Sequence, residues 1–475
     1  MNQPRRLSVV LEEIDLPCCS SQPSPSKPKE RQEDDIDEES YLEVVRVVVA
    51  NEVEDEAASG PTTRLYQSLL LISGFMMTFF VIGISSTYGI YQEFYTSFRS
   101  NISDALGQEA AVSLVGAMGI GFTWVGGVFV NVFLPRGFGN VKVVALMGAF
   151  AMTVGLVLAS IATKLWHLFL TQGLLYGLGA SMYYFSILSV TPLYFKRYRA
   201  FAVAVVLAGG SIGGLALAPV QQYLIDRYGV QWSLRILGMW NLAVGISVSM
   251  VMRQPPSFGG GQRSFRIGTS FTDKATFWYQ ALGAFLQAAG NIVPAYYIVA
   301  YSVSVLSLSP MIGSVLLGVN SGVDCISRAV VGVTAGLVGR QNTMIGGVIF
   351  STISVFCLWY GAAEARFIAF VVTYGVVSGG YDALLSMTVV ELYGVENYVG
   401  VNGSFLLIRG LGSLLGPPIA GVFLGSQAAG EKAGLEERYN RVVIYNGSLL
   451  AVSALCAVYV RYLDTLEKQR WKWRA

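Results

Sequence analysis

From Leu65 onward the chain is a succession of long apolar runs separated by short polar breaks. The runs lie near 66–95, 109–134, 141–162, 166–193, 199–225, 231–252, 275–301, 310–337, 342–361, 366–391, 400–424 and 441–463. Each holds about 20–30 residues, which at 1.5 Å per helical residue matches a hydrocarbon core of about 30 Å. The pattern predicts an all-α membrane protein with twelve transmembrane helices. Before Leu65 the character reverses. PSPSKPKERQEDDIDEES is polar, proline-bearing and acidic, and 1–63 reads as a disordered tail. The short apolar patch VVRVVVA (44–50) carries no functional signal.

Composition agrees with this pattern. Hydrophobic residues make up 53% and charged residues 13%, against about 25% charged in soluble domains. The net charge of +2 sums two unlike regions: 6 Lys/Arg against 15 Asp/Glu up to Thr63, then 26 against 15. The cysteines, Cys18, Cys19, Cys325, Cys357 and Cys456, show neither ligand nor redox spacing, so neither a zinc site nor a disulfide framework is expected. The glycines of AGGSIGG (208–214) lie inside a span with no preceding strand, so they suit close helix packing and not a phosphate cradle. No enzyme, cofactor or nucleic-acid partner is implied. The first apolar run acts as the insertion signal, without a separate N-terminal signal peptide.

Basic residues orient the spans. Arg64, the even-numbered connections and the C-terminal tail hold 16 Lys/Arg against 8 on the other side. The positive-inside rule then puts both termini in the cytoplasm and the Asn-Ile-Ser sequon at Asn101 outside. The longest inner connection, RQPPSFGGGQRSFRIGTSFTDKA, follows the sixth run. It divides the chain into an N-terminal half (64–252), a central loop (253–274), a C-terminal half (275–463) and a basic tail (464–475). Two six-helix halves about a basic loop resemble the layout of the major facilitator superfamily, whose substrate path runs between the halves.

Charges inside lipid-length runs carry the candidate chemistry. In GVDCISRAVVG, Asp324 and Arg328 are four residues apart and share one face of the eighth helix. A charge at a helix centre costs about 2.5–3.5 kcal/mol on insertion scales. Such a pair either fixes helix packing or acts as a switch, with an anion replacing Asp324 at Arg328 or a proton neutralising Asp324. Asp382, within the tenth span, has no base at helical spacing in that span. It is expected to pair with Arg328 or Arg409 across the bundle, or to carry a proton itself. Arg409, early in the eleventh span, either snorkels to the surface or offers a second cation.

In the seventh span, Asn291, Tyr296 and Tyr297 flank Pro294, which frees a backbone carbonyl and permits bending. These residues, with Asn320 and the weaker candidates Gln172 and Gln287, either line a cavity or pack between helices. Ser85, Ser86, Thr87 and Tyr88 either offer hydroxyls to the same cavity or bond back to their own helix. The sole histidine, His167, reads as interfacial, with a pH sensor as the alternative.

Several motifs resemble the monocarboxylate transporter family, in its fungal branch. They are GVDCISRAVVG, YFKRYRAFAVAVVLAGGSIGG (194–214) with WSLRILG (232–238), GNIVPAYYIVAYS (290–302) and IRGLGSLLGPPIAG (408–421). The resemblance implies a secondary carrier of small organic anions, with protons as coupling partner. Arg328 would hold the substrate carboxylate, and Asp324 or Asp382 the proton. Three departures stand out. PTTRLYQSLLLISG lacks the family's acidic-Gly-Gly opening and tryptophan. ISSTYG (84–89) has no lysine near Thr87. LPRGFGN and GLVGRQN lack the loop aspartate. Two alternatives therefore stay open: a facilitator of a neutral or zwitterionic metabolite (an aromatic amino acid or a vitamin), and a non-transporting nutrient sensor acting through the acidic tail. The plasma membrane is the expected location.

Overall fold

The computed structural model describes residues 64–100, 102–134, 140–195, 199–253, 274–425 and 434–467. The acidic tail, nearly all of the central loop, the last residues of the basic tail and the Asn101 sequon lie outside the described residues. Within them every regular element is helical. That follows from lipid as solvent, since a hydrocarbon core offers no partner for an unpaired N–H or C=O and a helix satisfies both internally.

Eleven helices are long and apolar enough to cross a membrane. The longest, Phe201–Val251, would extend about 75 Å if straight, more than twice the hydrocarbon thickness. It is broken at Gly229, whose φ of 83° lies where a side chain is disfavoured. Packing register shows that it doubles back. Gly74 of the first span meets Val206, and further along Gly83 meets Gly213 and Leu217, so these helices run parallel. Beyond the break the order inverts: Gly238 packs on Thr153, Leu156 and Val157, and Gly245 on Ala149. The run thus holds two helices across the Gly229 break, at the positions expected for the fifth and sixth spans. A second break, at Gly394 (φ 78°), separates the tenth span, Glu364–Gly394, from the eleventh, Gly400–Leu424.

Boundaries depart from the hydropathy reading where polar residues continue a helix. The twelfth span, expected over 441–463, runs Leu435–Glu467, its first turn holding Glu436 and Glu437 and an i,i+4 pair of Glu437 with Arg441 (3.0 Å). The third stops at Ala159, not 162. The first passes through a turn at Thr87 and resumes as Tyr88–Thr96. Within the fourth and ninth spans, Phe169–Leu175 and Val355–Trp359 are π-helical.

The AGGSIGG glycines let helices touch. A β-carbon on Gly209 would lie 2.3 Å from the Phe75 carbonyl oxygen, and one on Gly213 2.2 Å from that of Phe79. The same device recurs six spans later, where Gly412 and Gly416 of the eleventh span close on the Phe285 and Ala289 carbonyls of the seventh. Two pairs of corresponding helices joined alike are what an internal repeat produces. Gly213→Val is therefore expected to lower stability by about 1–3 kcal/mol, because the obstruction is backbone and cannot swing aside. Thermal melting in detergent would read this. Gly332→Val, at a position with open space around it, is expected to stay within about 0.5 kcal/mol.

Candidate functional site: a charge cluster between the helices

Asp324 sits at the middle of its span, Pro310–Val338. Its Oδ2 accepts from Arg328 Nε at 2.9 Å and from the Ser211 hydroxyl of the fifth span at 2.8 Å. The bond from Ser211 crosses from the N-terminal to the C-terminal set of helices. Gly379 of the tenth span permits the approach from the other side, since a β-carbon there would lie 2.3 Å from Asp324 Oδ1. One turn on, Asp382 accepts a hydrogen bond from Arg409 Nη2, and the Arg409 guanidinium also lies 5.9 Å from the Tyr381 ring centre. Asp382 is within Coulombic reach of Arg328 as well.

The four groups form one charge-balanced cluster on the eighth, tenth and eleventh spans. Tyr184 of the fourth span feels both Arg328 and Asp382. Tyr374 feels both carboxylates and donates to Asn291 Oδ1 at 3.2 Å. Their side chains stay partly accessible, 30% for Arg328, 16% for Asp324, 15% for Arg409 and 25% for Asp382.

Asp382 thus takes Arg409, one of the two partners expected for it across the bundle. The bond to Asp324 uses one of five guanidinium donors on Arg328. Among the described residues the others have no hydrogen-bond partner.

Other expected residues lie in helix contacts. Thr87 donates to the Gly83 carbonyl of its own helix (2.9 Å), and Tyr88 to Val112 (2.7 Å). Tyr297 donates to Pro417 (2.9 Å), and Asn320 Nδ2 to Val371 (2.8 Å). Tyr296 is fully buried, its ring 5.3 Å from that of Tyr88. Thr87, Tyr88, Tyr296 and Tyr297 thus pack where the two sets of helices close on the face opposite Arg64.

That closure is tight. A β-carbon on Gly89 would lie 2.4 Å from the Ala295 carbonyl oxygen, and one on Gly421 2.6 Å from Ala110 Cα. The Ser314 hydroxyl reaches Gln222 Oε1 at 3.3 Å. Gln172 accepts from Tyr95 (3.3 Å), while Gln287 is buried. His167 lies beside Trp166, ring centres 4.2 Å apart, and its Nδ1 accepts from the Thr163 N–H, as an interfacial residue would.

One buried carboxyl escaped the sequence reading. Glu109 opens the second span and is 1% exposed, and neither of its oxygens meets a donor in bonding geometry. The neighbouring Thr96 hydroxyl donates to the Gln92 carbonyl at 3.0 Å. The nearby cation, Arg99, is held by Glu93 (2.9 Å) and Asp226 (3.4 Å). An ionised group there would cost several kcal/mol in lost solvation. The helix N-terminus returns about 0.3–1 kcal/mol, at most about 2. Desolvation wins, so the neutral acid is the form that fits. In sequence Glu109 stands at the edge of an apolar run, where nothing in the pattern marks it.

The fold agrees with that of other proteins. The bacterial homologue of the human lysosomal transporter Spinster, solved in an inward-facing, unoccupied conformation, superposes with a TM-score of 0.65 at 13% identity, covering 86% of this chain and 100% of its own. By sequence, the MFS-type transporter pynF of Aspergillus niger is 25% identical over 87% of this chain and 92% of its own length. The agnestins efflux protein AgnL12 of Paecilomyces divaricatus is 25% identical over 78% and 84%. The family model described as Major Facilitator Superfamily matches residues 68–417. With most of the chain under that match and eleven helices among the described residues long and apolar enough to cross a membrane, the protein belongs to the Major Facilitator Superfamily and is an integral, multi-pass membrane transporter.

Proposed function

We propose that this transporter moves a small organic acid by alternating access and exports it from the cell. Arg328 holds the acid group, a proton is exchanged at Asp324 or Asp382, the Arg64 face is cytoplasmic and the membrane is the plasma membrane. The observation that carries the reading is the Asp324–Arg328 pair at mid-depth, which keeps guanidinium donors in reserve and stays partly accessible. An incoming carboxylate can share or displace Asp324 on Arg328, and the displaced Asp324 is then best neutralised by a proton. The motifs similar to monocarboxylate transporters support the substrate class. The similarity to AgnL12, an efflux protein, supports export.

Uptake into proteoliposomes of labelled lactate and of a larger aromatic carboxylic acid would test this. Uptake is expected to accelerate under an inward proton gradient and to be inhibited by other carboxylic acids but not by their amides. Gradient-independent uptake of neutral aromatic metabolites, with carboxylates inert, would overturn it in favour of the facilitator reading.

Asp382 gives a second check. Asp382→Asn leaves Arg409 a neutral acceptor and removes one titratable group. Counterflow exchange is expected to persist while gradient-driven accumulation falls by about tenfold, the worth of roughly 1.4 kcal/mol of lost coupling.

A further inference from the structure

The buried carboxyl of Glu109 stands apart from the charge cluster, on the face where the helices are closed, and nothing so far gives it a task. Its surroundings come from both sets of helices. From the first span come Gln92, Glu93 and Thr96, and from the seventh Tyr297, which lies within Coulombic reach of Glu109 and close to Gln92 and Ser113. Its neighbour Ala110 is the residue against which Gly421 of the eleventh span closes, a β-carbon on that glycine falling 2.6 Å from Ala110 Cα. Glu109 is therefore sealed by contacts that exist only while this face is shut. Parting the helices here would wet it.

The titratable and charged groups around it are few. Glu93 and Arg99 are paired with each other, and Arg99 also holds Asp226. Tyr297 donates to the Pro417 carbonyl and Tyr88 to the Val112 carbonyl, so neither hydroxyl proton is aimed at Glu109. Tyr439 lies beyond Tyr297. Among the described residues no cation is found facing Glu109. The Thr96 oxygen can accept from a protonated carboxyl while its own proton stays on the Gln92 carbonyl.

We infer that Glu109 is a proton-binding site that must be filled before the helices can close on the face opposite Arg64. A proton from the solution on that side bonds to the wetted carboxylate, the neutral acid is buried as the gate shuts, and reopening returns the proton to the same solution. By linkage, whatever raises occupancy of the protonated form favours the closed face. This rests on the alternating-access reading above and not on the identity of the substrate.

The test is a gating measurement made without substrate. Spin labels on Phe98→Cys and Ala363→Cys, exposed positions on that face in different halves, report the separation of the helices in a chain otherwise free of cysteine. In the parent protein the short-distance population is expected to grow several-fold as pH falls from about 8 to about 5. In Glu109→Gln, which is permanently neutral and of the same shape, the population is expected to stay near its low-pH value throughout. Glu109→Asp is expected to restore a titration, which separates loss of the proton site from damage to the fold.

A Glu109→Gln protein that titrates like the parent, or a parent that does not respond, overturns the inference. If the gate titrates as expected while carboxylates are not transported, the substrate reading fails and this one stands.

Discussion

Arg328→Ala is expected to reduce carboxylate transport by about tenfold to a hundredfold and to destabilise the protein at the same time. A hydrogen bond to a charged group contributes about 1.5–3 kcal/mol, which sets the transport range if Arg328 is what holds the acid. The stability loss has a separate cause. Without the guanidinium, Asp324 keeps only the Ser211 hydroxyl in a largely buried place. Breaking a buried pair by removing one partner costs about 3–5 kcal/mol, and the partial exposure here points to the lower end.

The double variant Asp324→Ala/Arg328→Ala separates the two effects. Removing both charges is often neutral or stabilising, so its melting temperature is expected to recover toward the parent while transport stays low. Recovery of transport together with stability would mean that the pair only packs the eighth span. Arg328→Lys is expected to fall between, because an ammonium keeps the charge but loses the planar fork.

The second large effect is expected at Gly89→Ala, which should hold the closed face apart. The added methyl would sit 2.4 Å from the Ala295 carbonyl oxygen, and because both elements are backbone the strain is relieved only by separation. Overpacking of this kind costs about 1–3 kcal/mol, enough to shift a conformational equilibrium by roughly 5- to 150-fold. The readout is alkylation of Ser113→Cys by a membrane-impermeant reagent applied from that face. Ser113 is fully buried and lies next to Tyr297, so its labelling should be slow in the parent and faster in Gly89→Ala, with transport reduced. Unchanged labelling with normal transport would show that this contact is not the gate.

Much of the fold could be read from hydropathy because lipid imposes one rule on every span; what escaped were the ends, where water and ion pairs continue a helix past its apolar run, and the turn at Thr87 and the π-helical stretches within spans. The Asp324–Arg328 pair was legible because both residues sit on one helix four apart. The partner of Asp382 was not, since Arg409 lies 27 positions away across the break at Gly394 and only packing decides between it and Arg328. Thr87, Tyr88, Tyr296 and Tyr297 show the opposite limit. A hydroxyl on an apolar helix can serve a ligand or a neighbouring carbonyl, and the sequence looks the same in both cases. Glu109 was hidden for a related reason: burial at a helix end depends on what another helix brings against it, here the eleventh span some 300 residues later.

The charge balance of the mid-depth cluster bears on energy supply. Moving one elementary charge through a membrane potential is worth about 2.3 kcal/mol per 100 mV. Two carboxylates and two guanidiniums that reorient together move no net charge through that field. In the empty carrier's return step this cluster gives the membrane voltage nothing to act on. If each anion travels with one proton, the loaded step is electrically silent too. Such a transporter would work at the same rate in a depolarised cell as in a resting one, driven by concentration and pH differences alone.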